Sequence, residues 1–282
     1  MSYWMAVRRR LMAIALAGID VAALVIAYTG AMTDQIVAMG DGKQYRLLTL
    51  TSSGTLTVEK PVQADVWMCG GGSNHGNYAN DQFDGGGGGF VSSGYNITLS
   101  ESMTAVVGAA EGASSFAAIT ASGSSTSDGG SGGGAWRGGH AGTGANVTTY
   151  PFGDTTYFAG KPHSAGGAAG GYDRGSREES DGGNGGSNGS GGSSIPAGTG
   201  SGRGGNGGTY GGGNGGSNYG SARNGGNATF YGGGSGGAAS YWDDDAYNPD
   251  DDDWTGDQVS GTRGAGYQGV IYVRISLDQK AA

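Results

Sequence analysis

The chain has 282 residues, of which 66 are glycine and 5 proline, and a formal net charge of −9. A chain of ordinary composition and this length would hold about 20 glycines. Collagen is nevertheless excluded, because neither the unbroken third-residue glycine nor the proline content of a triple helix is present. The acidic balance argues against a nucleic-acid partner, whose phosphates are held by clustered Lys and Arg, and the lone Cys69 excludes an intramolecular disulfide.

Arg8, Arg9 and Arg10 precede an apolar stretch from Leu11 to Ala31 that Asp20 interrupts. A carboxylate near the centre of a spanning helix costs about 2.5–3.5 kcal/mol. Residues 1–20 therefore read as a short basic amphipathic lead ahead of a strand over Val21–Tyr28, with a signal peptide or anchor as the alternative. Residues 21–121 read as a β-sheet frame. Alternating apolar residues from Gln44 to Val58 around Ser52-Ser53-Gly54 predict a hairpin. Ala64–Cys69 is a short apolar run that stops at Gly70-Gly71-Gly72 and suits a buried strand. Further strands are expected over Gly89–Leu99, Met103–Gly108 and Ser115–Ala121. The closing segment, 259–282, carries a strand over Gly269–Leu277 whose Ile271, Val273, Ile275 and Leu277 would face the core.

Between these parts, residues 122–241 have neither a helical period nor a long apolar run. Glycine spacing replaces both: Gly183, Gly186, Gly189 and Gly192 keep a period of three, as do Gly202, Gly205, Gly208 and Gly211. Three residues per turn is the polyproline-II repeat, and runs of about 10 residues would extend roughly 30 Å. An isolated helix of this kind has no internal hydrogen bonds. Glycine lets neighbours approach closely enough to pair N–H and C=O groups between them. A flexible linker is the competing reading; Trp136, Tyr150, Phe152, Tyr157, Phe158, Tyr172 and further rings within the tract oppose it, because linkers seldom carry so many aromatics.

Residues 242–258 form an acidic aromatic loop, with Trp242 and Trp254 bracketing two aspartate runs and an Asn248-Pro249 turn. Three readings stand for it: a solvated loop with no partner, a Ca²⁺ site on Asp243, Asp245, Asp250 and Asp252, or a receptor-contacting loop. The ordered ligand spacing of a calcium-binding loop is absent. The glycine pattern from Gly200 to Gly205 meets the dinucleotide spacing but follows no apolar strand and opens no helix, so no cofactor is expected. His75, His140 and His163 sit among Gly, Ser and Ala residues that identify neither a base nor a metal ligand, and Cys69 would need an orienting His to act as a nucleophile. The chain is read as non-enzymatic.

Several segments in combination resemble the glycine-rich domain family of phage and prophage tail proteins. They are Tyr45-Arg46-Leu47-Leu48-Thr49-Leu50 with Ser53-Gly54-Thr55-Leu56, Val66-Trp67-Met68-Cys69-Gly70-Gly71-Gly72, Gly85 to Gly89 with Phe90-Val91, Val106-Val107-Gly108-Ala109, and Gly266-Tyr267-Gln268-Gly269-Val270-Ile271-Tyr272-Val273-Arg274-Ile275. In outline the chain is also similar to the glycine-rich domain of the anaplastic lymphoma kinase receptor ectodomain and to the tip adhesins of tail fibres. The resemblance implies a mainly β fold, a jelly-roll-like β-sandwich with an inserted bundle of polyglycine or polyproline-II helices. It also implies a virion tail protein that presents loops to a host receptor, either a glycan or an outer-surface protein, and that contacts other tail proteins and possible copies of itself.

The candidate contact residues are Trp136, Arg137 and His140, then Tyr150, Phe152, Tyr157 and Phe158, then Tyr172, and finally Trp242, Tyr247 and Trp254. The alternative is a purely structural virion or cell-surface protein, secreted or surface-bound, without a specific ligand. Ice binding by a flat face of packed helices is a more distant reading, because aromatic and acidic residues interrupt the repeat.

Overall fold

The computed structural model describes residues 20–74, 83–135, 140–173, 181–193, 203–217, 223–242, 247–248, 253–254 and 258–279. The strands are β1 (Ile26–Tyr28), β2 (Met32–Ala38), β3 (Gln44–Leu50), β4 (Gly54–Val58), β5 (Val62–Cys69), β6 (Val91–Leu99), β7 (Met103–Val106), β8 (Ser114–Phe116), β9 (Ile119–Ala121), β10 (Tyr172–Asp173), β11 (Ser240–Trp242), β12 (Tyr247–Asn248), β13 (Asp253–Trp254), β14 (Gln258–Ser260) and β15 (Val270–Ser276). The only helix among the described residues is a single 3₁₀ turn, Pro151–Gly153. The fold is mainly β.

Two five-stranded antiparallel sheets dominate, in the orders β1-β4-β7-β8-β9 and β2-β3-β15-β5-β6. Alternation along the strands decides how they pack. In β15, Ile271, Val273 and Ile275 point to one side and meet Leu48, Leu50, Val66 and Met68 of β3 and β5 there. Leu56, Val58, Ala105 and Phe116 from the other sheet close the same cluster, which gives the pair its sandwich-like character. Leu277 packs against this cluster as expected. Val270 and Tyr272 point to the opposite side, where Tyr45, Leu47, Trp67, Cys69 and Phe158 form a second buried cluster. The central strands of this sheet are thus covered on both faces.

Three expectations are corrected. Gln44–Val58 is not a hairpin: β3 pairs with β2 and β15, whereas β4 pairs with β1 and β7, and the Ser52-Ser53 bend carries the chain from one sheet to the other. Alternation specifies which face is buried but not which strand lies alongside. Only Ile26–Tyr28 of the expected Val21–Tyr28 strand is extended. Before it, the Asp20 carboxylate accepts the Ala22 and Ala23 N–H groups to close a turn, and the Arg46 guanidinium donates to the Val21 and Leu24 carbonyls. Ser115–Ala121 splits into the β8–β9 hairpin at Ala117, a non-glycine residue at φ +53°. Residues 1–19 of the expected lead lie outside the described residues.

The glycine segments form a hydrogen-bonded network of a different kind. Along Ser164–Gly171, Gly166 and Ala169 donate to Gly186 and Gly183, Gly167 and Gly170 to Gly86 and Phe83, and Ala168 and Gly171 to Gly213 and Gly216, all at 2.8–3.0 Å. The donors turn to a new neighbour at each residue and return to the first after three. The carbonyls of the same segment accept from three other segments: Gly166 and Ala169 from Gly208 and Gly205, Ala165 and Ala168 from Gly234 and Gly237, and Gly167 from Gly134. Gly85–Gly89, Gly70–Ser73 and Gly261–Gly269, which flank strands of the frame, join this network.

The margins of the network are completed by side chains. Asp181, Asn184 and Ser187 accept the backbone N–H groups of Arg203, Asn206 and Thr209, stepping by three residues on both sides. Asn224 and Asn227 do the same for Thr262 and Ala265. Each of these oxygens stands where a further backbone carbonyl would otherwise be needed.

The expected 10-residue runs are folded into shorter pieces. The Gly183–Gly192 run reverses at Asn188 and Gly189 (φ +48° and +82°), and the Gly202–Gly211 run ends at Tyr210 and Gly211 (φ +59° and +116°).

The spacing leaves no room for side chains at the crossing points. A Cβ on Gly167 would lie 1.7 Å from the Ser235 carbonyl oxygen, whereas on Gly191 its nearest neighbour would be 3.2 Å away. Gly167→Ala is therefore expected to cost roughly 3 kcal/mol or more, or to prevent folding, while Gly191→Ala costs far less. Thermal denaturation of the two variants checks this; equal losses of Tm would contradict the packing described.

Candidate functional site

The described chain ends gather on one side of the glycine network. Gly170 donates to Phe83, Ala135 to Ser193, Gly171 to Gly216, Gly182 to Arg203, Ala239 to Arg223 and Gly261 to Ala239. On the same side β10 pairs with β11, and β11 with β14. The candidate segments 136–140, 172–179 and 242–254 lie largely outside the described residues, and the described residues that flank them are among these.

The side chains there are less fully described. Trp136 and Arg137 lie outside the described residues, between buried Ala135 and exposed His140. Tyr172, Trp242, Tyr247 and Trp254 fall in β10, β11, β12 and β13, with Tyr247 opposite Trp254 in the β12–β13 register. Asp243, Asp245, Asp250 and Asp252, the carboxylates of the calcium reading, lie outside the described residues. Among the described residues no group of three or more His, Cys, Asp or Glu side chains could hold a metal ion.

The remaining candidates lie elsewhere. Tyr150, Phe152 and Phe158 pack against the second buried cluster, on the face of the sheet that carries Trp67 and Tyr272. Phe158 is only 5% exposed, with its ring 5.3 Å from that of Tyr272, which leaves it no face for a partner. Tyr157 stands edge-on to it, partly exposed. Among the described residues, Tyr150, Phe152 and Phe158 of the 150–158 loop thus belong to the buried face of the sheet and not to a shared site with the other candidates. This loop is part of the seam between the sheet and the glycine network.

The centre of that seam is His163, which sequence reasoning set aside. Its ring lies 5.1 Å from Trp67 and 4.8 Å from Phe230, is stacked at 12° on Tyr231, and its Nε2 is 3.0 Å from the Tyr272 hydroxyl. Burial pushes its pKa down to about 3. A neutral, ring-enclosed imidazole of this kind acts as a packing group with one polar tie. Cys69 is likewise buried, and burial pushes its thiol up to about 12, so a thiolate nucleophile is strongly disfavoured at this position.

The direction of the His163 shift fixes a pH dependence. The unfolded chain takes up a proton below the ordinary value of 6.5, and the folded chain does so only near 3. The contribution is complete above pH 6.5 and is lost as pH falls toward 3, by at most about 1.4 kcal/mol per pH unit. The Tm of His163→Phe is expected to fall less steeply than that of the unsubstituted protein between pH 6.5 and 4. Parallel curves would show that His163 is not the titrating group.

No protein-family model and no curated protein matches the sequence.

Proposed function

We propose that the glycine segments form a bundle of polyproline-II-type helices inserted in a jelly-roll-like frame. We further propose that the protein is a non-enzymatic phage or prophage tail-associated protein whose bundle presents loops for host-surface attachment. The observation that carries this reading is the arrangement around Ser164–Gly171. Donors and acceptors repeat every three residues toward five neighbouring segments, with a single bond to a sixth, and described residues that border the candidate segments are paired within the same network. A bundle of this kind is a stiff post. The sheets at its other end provide a broad mount, through which other tail proteins would hold it.

The chemistry of the presented segments agrees with a recognition role. Trp136, Arg137, Tyr172, Trp242, Tyr247 and Trp254 are the residue types that dominate binding energy when part of an interface. The receptor on this reading is a surface glycan or an outer-surface protein, and the place of action is the virion tail.

Fluorescently labelled protein incubated with a panel of bacterial strains tests the proposal. Replacing Trp242–Trp254 by a glycine-serine linker should abolish binding to any strain that the unsubstituted protein labels, in a variant whose thermal unfolding remains cooperative. Undiminished labelling by the variant, or no labelling of any strain by the parent, would instead favour a purely structural role.

A further inference from the structure

The seam between sheet and glycine network does not close completely. At the β6 side a cleft of about 260 Å³ opens between this strand and the loop 147–153. Trp67 lies at its floor, and its walls are Tyr95, Val147, Tyr150 and Phe152, with Ser93 and Thr148 beside them. Tyr95 is 56% exposed and Val147 47%, so rings and methyl groups face open space here rather than the core.

Both walls are held in unusual backbone conformations. Tyr95 and Asn96 fall in the bulge where the β5–β6 register shifts, and Asn96 has φ +55°. Phe152 has φ +56° within the 3₁₀ turn. Non-glycine residues seldom adopt this region, and they cluster where a side chain must be aimed. One ion pair supports both. The Asp65 carboxylate accepts the Asn96 N–H at 3.1 Å and the Arg274 Nε at 3.0 Å, and the Arg274 guanidinium lies 4.4 Å from the centre of the Phe152 ring and 4.8 Å from that of Tyr45.

We propose that the cleft bounded by Tyr95, Tyr150 and Phe152 is a binding site for a neutral saccharide ring. A pyranose presents C–H bonds on one face and hydroxyls at its rim, which matches aromatic walls beside Ser93 and Thr148. Its neutrality also matches, because the two charges behind the walls, Asp65 and Arg274, neutralise each other. The cleft is below the size of pockets that take drug-sized ligands, about 300–1,000 Å³, and suits a single ring. An extended peptide would need a row of backbone partners, whereas the cleft lies over the face of β6 and offers side chains. Asp65 and Arg274 are positioning residues that aim the walls without touching the ligand. The site is separate from the segments at the far end of the glycine network and does not depend on their role.

Saturation-transfer NMR on the full chain tests the site. The probes are the methyl glycosides of glucose, galactose, mannose, rhamnose and N-acetylglucosamine, with N-acetylphenylalaninamide as an aromatic-peptide control. At least one glycoside should receive saturation, strongest on its ring C–H protons, and Tyr95→Ala should weaken its binding about ten-fold. Tyr95 is exposed, so the variant should keep the parent Tm, and the linker replacement of Trp242–Trp254 should leave the signal intact. No transfer to any glycoside, transfer only to the peptide control, or transfer unchanged in Tyr95→Ala would each overturn the proposal.

Discussion

The structure depends on one constraint: backbone amides from separate segments must come within hydrogen-bonding distance on several sides at once, which requires glycine where a Cβ would meet a neighbour's carbonyl and tolerates alanine at a few other positions, such as Ala168 and Ala169. In an ordinary β-sheet each strand pairs with at most two neighbours, because side chains occupy both faces. Ser164–Gly171 exchanges hydrogen bonds with six. The replacement of any crossing glycine by a larger residue puts a carbon into a carbonyl oxygen, as the 1.7–1.8 Å clearances at Gly167, Gly170, Gly215 and Gly237 show. The entropic cost of ordering glycine is large, about 1–2 kcal/mol per residue before any bond is counted. A network in which Ser164 and each residue from Gly166 to Gly171 donate to a backbone carbonyl offsets that cost in a way a solvated glycine tract cannot.

The two five-stranded sheets give this network a wall to grow from. The sheet β2-β3-β15-β5-β6 buries aliphatic side chains against the other sheet on one face and aromatic side chains under the glycine segments on the other. Trp67, Tyr272 and Phe158 therefore join two kinds of architecture, with His163 as their shared neighbour. The same junction explains the role of the 150–158 loop, whose Tyr150, Phe152 and Phe158 pack on the aromatic face of the sheet. It roofs the sheet, and it leaves a cleft lined by Trp67 and the rings of Tyr95, Tyr150 and Phe152 where β6 bulges away.

Much of the frame was legible in the sequence because strand alternation is a strong signal. Ile271, Val273, Ile275 and Leu277 face the core as the pattern demanded, and Val62–Cys69 includes the expected buried run. Partnership between strands was not legible, since β3 and β4 alternate equally well whether paired or parted. The edge strand β2 escaped notice because Asp34 and Gln35 break its pattern; Asp34 is there to pair with Arg46.

In the glycine region the period of three was readable and the turns were not. Asn-Gly marks a reversal at Asn188-Gly189, but the same dipeptide at 184–185, 206–207, 214–215 and 224–225 lies within segments, where three of the asparagine carboxamides, at 184, 214 and 224, accept a neighbour's N–H. The cleft left two traces: an arginine on an otherwise apolar strand, and Gly94-Tyr95-Asn96 interrupting the alternation of β6. Neither identifies a site until the fold lays Arg274 against Phe152 and sets Tyr95 beside the same ring in the cleft wall.

Amide hydrogen exchange across Ser164–Gly171 tests the central claim most directly. The account predicts that these amides exchange only through opening of the whole network, as slowly as those of β15, despite belonging to no helix or sheet. Exchange at the rate of an unstructured glycine-rich peptide would contradict it.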